Sequence, residues 1–184
     1  MRIAIIGTHS TGKTELVNLL QSRLKGIGKD VVVIKEVTRL CPFPVNRNTT
    51  FEAQSWILLE HLKQEKEKSG CDVLLSDRCL VDHYMYMVRK FPEESKSFLK
   101  TVLESAKRYD HIFKTVPSSK IEENGFRDTD PKFRDDIERL LLEFLERHKI
   151  HFTELPQSGA AEFIIRGVLD EKIDKADTGK RDGC

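Results

Sequence analysis

Gly7-Thr8-His9-Ser10-Thr11-Gly12-Lys13-Thr14 decides the fold. The stretch fits G-x-x-x-x-G-K-[ST] at every fixed position. It follows Arg2-Ile3-Ala4-Ile5-Ile6, a short apolar run suited to a strand buried on both faces of a parallel sheet. Leu16, Leu19, Leu20 and Leu24 come next at helical spacing, with Gly26 placed to end the helix in a left-handed turn. Glycines in such a loop let the backbone wrap an anion, so that N–H groups and the helix N-terminus point at it. Gly7, Thr8, His9, Ser10, Thr11, Gly12, Lys13 and Thr14 are therefore the expected phosphate-binding residues. Lys13 is expected to reach the β- and γ-phosphates of a nucleotide, and the Thr14 hydroxyl to ligate Mg²⁺.

Outward from this loop, strands and helices alternate. Asp30 to Lys35 reads as a second strand, followed by the loop Cys41-Pro42-Phe43-Pro44. Thr49 and Glu52 form a capping-box pattern before a helix with Trp56, Leu59 and Leu62. Cys71 to Leu75 is a third strand, ending at Ser76-Asp77-Arg78, and helical patterns cover Leu80 to Lys90 and Glu93 to Lys107. Tyr109 to Val116 is a fourth strand. Pro117 to Thr129 is polar, holds Gly125, and reads as a mobile lid loop. Asp130 caps a helix with Pro131 in its first turn and an apolar stripe of Phe133, Ile137, Leu140, Leu141, Phe144 and Leu145. A fifth strand at Ile150 to Leu155 leads to a last helix with Phe163, Ile164, Val168 and Leu169.

This alternation predicts an α/β fold, a doubly wound five-stranded parallel sheet of the P-loop type with a lid loop. Its site belongs at the carboxyl ends of the strands. Residues 1–173 are expected to form a single domain and 174–184 a disordered tail. A chain of 184 residues suits one such unit. Lys+Arg 31 nearly cancels Asp+Glu 30, which argues against a polymer substrate such as nucleic acid. The N-terminal apolar run is too short for a signal or membrane span, giving the expectation of a cytoplasmic protein. Cys41, Cys71, Cys79 and Cys184 lack metal-site spacing and read as packing thiols.

Phosphoryl transfer needs Mg²⁺, positioned cations and a carboxylate that orients or deprotonates the acceptor. Asp77, after the third strand, is the expected Mg²⁺ carboxylate, with a helix cap as its alternative. Glu36, after the second strand, is either the acceptor's base or half of a surface pair with Arg39. Arg78 stands beside Asp77 at the same strand end. Arg127 and Arg134 bracket the end of the lid loop and are expected to close over the nucleotide. Asp82 and His83 read as a cap and a satisfied surface histidine. Trp56, Tyr84 and Tyr86 fit core packing better than acceptor stacking, and Gln54 is a candidate hydrogen-bond partner for a base-like ring.

Taken together, Gly7 to Thr14, Glu36-Val37-Thr38-Arg39, Ser76-Asp77-Arg78 with Asp82 and Tyr84, and Asn124-Gly125-Phe126-Arg127 with Asp130-Pro131-Lys132-Phe133-Arg134 resemble P-loop nucleoside and nucleotide kinases. Within that group the chain is most similar to the small ATPases and kinases that include bacterial ribosylnicotinamide kinase domains. The resemblance implies ATP and Mg²⁺ as cofactors and γ-phosphate transfer to a small nucleoside- or nucleotide-like acceptor. It also implies that Leu155 to Gly159, with Gln157, lies near the adenine. The acceptor itself is left open, because such proteins differ most in the loop that here reads Cys41-Pro42-Phe43-Pro44-Val45-Asn46-Arg47. The competing class is a regulatory P-loop ATPase or nucleotide-dependent switch. A GTPase switch needs a guanine-reading N-K-x-D motif, and Lys114-Thr115-Val116-Pro117 stands in its place.

Overall fold

The computed structural model describes residues 1–45, 48–68, 70–117 and 131–168, with nothing stated of the Pro131 side chain. Its centre is a sheet of strands β1 (Arg2–Ile6), β2 (Val31–Ile34), β3 (Val73–Asp77), β4 (His111–Lys114) and β5 (Thr153–Glu154). All pairings are parallel and the spatial order is β2-β3-β1-β4-β5. The five-stranded parallel sheet expected from the sequence is thus present. Strands β2, β4 and β5 are shorter than their expected runs, and β3 has the expected length but lies two residues further along, at Val73–Asp77.

Helices α1 (Lys13–Gly26), α2 (Phe51–Glu67), α3 (Leu80–Lys90), α4 (Pro92–Ser95), α5 (Leu99–Ala106) and α6 (Pro131–Arg147) alternate with the strands, and a last helix, α7, spans 160–168. A short 3-10 turn, Val37–Leu40, follows β2, and another, Lys96–Phe98, separates α4 from α5. The single helical pattern from Glu93 to Lys107 is therefore broken. One sheet face packs Ala4, Ile6 and Ile112 with Leu58, Leu80, Met85, Ile137 and Leu141 of α2, α3 and α6. The other packs Ile3, Ile5, Leu75 and Phe113 with Leu20, Leu24, Ile164 and Val168 of α1 and α7. Ile3, Ile5, Leu20 and Leu75 are fully buried, each contributing roughly 1.5–3 kcal/mol through removal from water.

Two helix ends differ from the sequence expectation. The left-handed residue closing α1 is Gly28, at φ 79°, not Gly26. Gly28 N–H bonds the Lys25 carbonyl and Lys29 N–H bonds that of Leu24, the paired bonds of a Schellman motif. The cap of α2 is Thr50, whose hydroxyl accepts from Ala53 N–H at 3.2 Å. Thr49 instead accepts a hydrogen bond from Gln54 Nε2 at 2.8 Å.

Register places the site. Ile5 pairs with Asp77 and Ile6 with Lys114, so the loop leaving β1 emerges between the ends of β3 and β4. Arg78 N–H continues the ladder to the Ile5 carbonyl at 3.0 Å, and Thr115 N–H to that of Ile6 at 2.9 Å.

Candidate active site

The phosphate loop holds a backbone that only particular residues tolerate. Gly7 has φ 135° and Gly12 φ 73°, and Ser10 adopts φ 58°, a left-handed conformation uncommon outside glycine. A Cβ on Gly7 would lie 2.5 Å from Thr115 Oγ1 and 3.2 Å from the Thr115 carbonyl oxygen. Thr115 Oγ1 also stands 2.7 Å from Thr11 Oγ1 and donates to the Ile6 carbonyl at 3.1 Å. The end of β4 thus buttresses the loop, a role for Thr115 that no motif in the sequence signals.

Lys13 folds back into this loop. Its amine donates to the Thr8 carbonyl and, at 2.9 Å, to Thr11 Oγ1. Burial first, and then the Arg78 charge, bring its pKa down to about 7 against the pull of Asp82, Asp77 and Glu36. The hydroxyls of Thr8 and Ser10 are buried without a hydrogen-bond partner. Such atoms carry a desolvation cost that a bound oxyanion would relieve.

Asp77 lies where the sequence puts it. Its Oδ2 accepts from Thr14 Oγ1 at 2.6 Å, joining α1 to the end of β3. Two adjacent hard oxygens suit a divalent cation such as Mg²⁺. The N-cap of α3 is Cys79, so the capping alternative for Asp77 is not what the structure shows.

Arg78 carries the strain of the site. It is buried, sits at φ 80°, and points its guanidinium across the loop. Nε donates to Glu36 Oε1 at 3.0 Å and Nη1 to the Gly7 carbonyl at 3.3 Å, with Asp82 Oδ1 3.8 Å away. Glu36 also meets Arg39 at 3.6 Å, but Arg39 is exposed whereas Arg78 is not. The Arg78 pair therefore dominates, since its guanidinium is out of water, whereas an exposed pair is worth under about 1 kcal/mol. Glu36, Asp77, Arg78, Lys13 and Thr14 are thus brought together at the carboxyl ends of β1, β2 and β3.

Asp82 caps as expected, yet it does more than cap. One carboxylate oxygen accepts from Cys79 N–H at 3.0 Å and the other from Gly7 N–H at 2.8 Å. The second bond joins positions 75 residues apart and is invisible in the local pattern.

His83 corrects another expectation: it is buried, not on the surface. Its Nε2 lies 3.2 Å from Nδ1 of His61, whose Nε2 is 3.2 Å from Ser76 Oγ and 3.5 Å from Glu65 Oε1. Glu65 accepts from Ser105 and Tyr109, each at 2.7 Å. Burial raises the Glu65 pKa, but His61, Ser105 and Tyr109 outweigh it and hold the carboxyl below its usual value.

Tyr84 packs in the core, 5.5 Å from the Phe144 ring. Tyr86 faces the loop instead, with its hydroxyl 3.4 Å from His9 Nδ1. Phe133, in the first turn of α6, lies 5.8 Å from the His9 ring, 6.0 Å from Tyr86 and 4.4 Å from the Arg89 guanidinium. This aromatic contact docks the start of α6 on the phosphate loop. Arg134 follows it with a mostly buried side chain. Gln157 is exposed in the turn after β5, Trp56 is half-buried on α2, and Arg127 lies outside the described residues.

Residues 2–162 match the model of the AAA domain family. The chain belongs to that family. Among solved structures, this family member resembles the deoxyadenosine kinase from M. mycoides with dCMP and dCDP bound, at 18% identity and TM-score 0.67, over 92% of this chain and 100% of that one. NadR protein in complex with NR gives 18% identity and TM-score 0.69, over 86% of this chain but 46% of NadR. YorR from Bacillus subtilis, in complex with phosphorylated GDP, gives 18% identity and TM-score 0.61, over 94% and 98%. These likenesses show a shared P-loop, nucleoside-kinase-like fold. No curated protein matches the chain. Among the described residues no helix is long and apolar enough to cross a membrane.

Proposed function

We propose that the chain is an ATP- and Mg²⁺-dependent phosphotransferase that moves the γ-phosphoryl group to a small nucleoside-like hydroxyl. The observation that carries this reading is the Glu36–Arg78 pair, a part-buried carboxylate held by a buried guanidinium that also bonds the phosphate loop at Gly7. A bare ATPase needs no second carboxylate on that side, whereas an acceptor hydroxyl needs a group that takes its proton.

The residues suit the nucleotide and its metal. Thr8 and Ser10 offer unpartnered buried hydroxyls, and Thr14 and Asp77 offer two oxygens to a hard cation. Mg²⁺, when bound, would neutralise charge on the phosphates. Lys13 would exchange the Thr8 carbonyl for phosphate oxygen. Glu36 would accept the acceptor's proton, and Arg78 would hold Glu36 in place and present positive charge to the transferred group. Arg134 and, from the neighbouring segment, Arg127 would stabilise the same charge as lid arginines. Gln157 would lie along the adenine.

A hydroxyl fits better than an acceptor phosphate. Arg78 is committed to Glu36 and Gly7, and an incoming phosphate would meet the Glu36 carboxylate first. The deoxyadenosine kinase is named for a nucleoside acceptor, and its structure holds dCMP as a product, which lends support. The test is ATP consumption with Mg²⁺ across a panel of nucleosides and nucleoside monophosphates. Acceleration by a nucleoside is expected. Equal rates with and without every acceptor would favour the regulatory ATPase, and acceleration by monophosphates alone would overturn the hydroxyl assignment.

A further inference from the structure

We propose that Asp82 is a positioning residue for the phosphate loop, its carboxylate fastening the loop's entry peptide at Gly7 to the first turn of α3. The inference rests on the nucleotide-binding part of the function proposed above but needs no acceptor.

Both oxygens of Asp82 accept backbone donors from segments far apart in the chain. Oδ1 takes Gly7 N–H at 2.8 Å and Oδ2 takes Cys79 N–H at 3.0 Å. Arg78 holds the same glycine by its carbonyl, at 3.3 Å, so Asp82 in α3 and Arg78 at the end of β3 grip the Gly7 unit by both its polar groups. The side chain is buried, and the arrangement uses two acceptor oxygens on one residue. Burial raises the Asp82 carboxyl above its usual value, and Arg78, Lys13 and the two backbone donors oppose that rise without cancelling it.

Three consequences define the role. Gly7 N–H is committed to Asp82, so the amides available to an anion begin after it. The direction in which the chain leaves β1 is tied to α3 rather than to the sheet alone. A neutral amide cannot replace the carboxylate, because whichever way an asparagine turns, its NH₂ faces one of the two N–H donors. That leaves a buried donor unsatisfied and the loop entry free to rotate.

The experiment measures binding of Mg·AMP-PNP by calorimetry to the wild-type chain and to Asp82→Asn, at a temperature where circular dichroism shows both folded. Asp82→Asn is expected to weaken affinity at least about tenfold, as loss of a supporting hydrogen bond does at ligand sites. A lower melting temperature with unchanged AMP-PNP affinity would show a purely structural residue and overturn the proposal. Should Asp82→Asn fail to fold, amide hydrogen exchange of the wild-type chain decides. Gly7 and Cys79 amides are expected to exchange with matching protection, and AMP-PNP to slow both. Fast exchange at Gly7 beside a protected Cys79 would overturn it. A wild-type chain that binds no AMP-PNP removes the nucleotide site itself, a result distinct from wild-type and variant binding equally well.

Discussion

Thr14 Oγ1 stands 2.6 Å from Asp77 Oδ2, so the first turn of α1 and the end of β3 offer a cation two oxygens side by side. Asp77→Ala leaves the hydroxyl without its carboxylate. Turnover is expected to fall roughly 10–100-fold, with more Mg²⁺ needed for half-maximal rate. An unaltered Mg²⁺ titration would remove Asp77 from the metal's surroundings.

Glu36→Gln keeps the shape and removes the base. The rate with the best acceptor is expected to drop about 10²–10⁴-fold while ATP affinity stays within a few-fold. Parallel loss of both would mean that Glu36 serves the loop through Arg78 rather than the acceptor.

Gly7→Ala meets two obstacles at once, the Thr115 side chain at 2.5 Å and its carbonyl at 3.2 Å, on a backbone at φ 135°. Nucleotide binding is expected to be lost, and adding Thr115→Ala to be no rescue, since the carbonyl and the dihedral remain. Recovery of AMP-PNP binding in the double variant would place the whole constraint on the Thr115 hydroxyl.

Acid should weaken the fold in two stages. His83 has a pKa well below its ordinary 6.5, because burial and then His61 and Arg78 disfavour its charge. The unfolded chain takes up a proton there and the folded one does not, so this contribution is complete above pH 6.5 and shrinks below it. Glu65, depressed below 4.5, adds stability that is lost only at still lower pH, as the folded carboxyl itself protonates. Melting temperatures from pH 7.5 to 5 should therefore decline in the wild type and decline less in His83→Gln. Identical slopes would contradict a neutral buried His83.

The sequence made legible whatever is local or follows from strand ends. The loop motif, the parallel sheet, and the placing of Glu36, Asp77 and Arg78 all come from adjacent residues plus one topological rule. Asp82 was readable only as a cap, because its bond to Gly7 exists through the pairing of β1 with β3. His83 sits on a helix whose exposed and buried sides depend on where α2 packs, and its partner His61 lies 22 residues away. Thr49 with Glu52 fits the capping-box pattern and Thr50 does not, yet it is the Thr50 hydroxyl that receives the Ala53 N–H. Gly26 and Gly28 pose the same kind of ambiguity at the other end of a helix.

Lys13 is folded onto the Thr8 carbonyl, and burial, then the Arg78 charge, bring its pKa down to about 7. A bound triphosphate would favour its ammonium form, so nucleotide binding becomes a proton-consuming step. Calorimetric titration in two buffers of different ionisation enthalpy should give different apparent heats, with the difference growing between pH 7 and 8 as the free lysine empties. Lys13→Arg, permanently charged, should erase that buffer dependence. The Thr8 carbonyl and Thr11 hydroxyl thus keep the loop's cation folded inward, where a bound anion would compete for it.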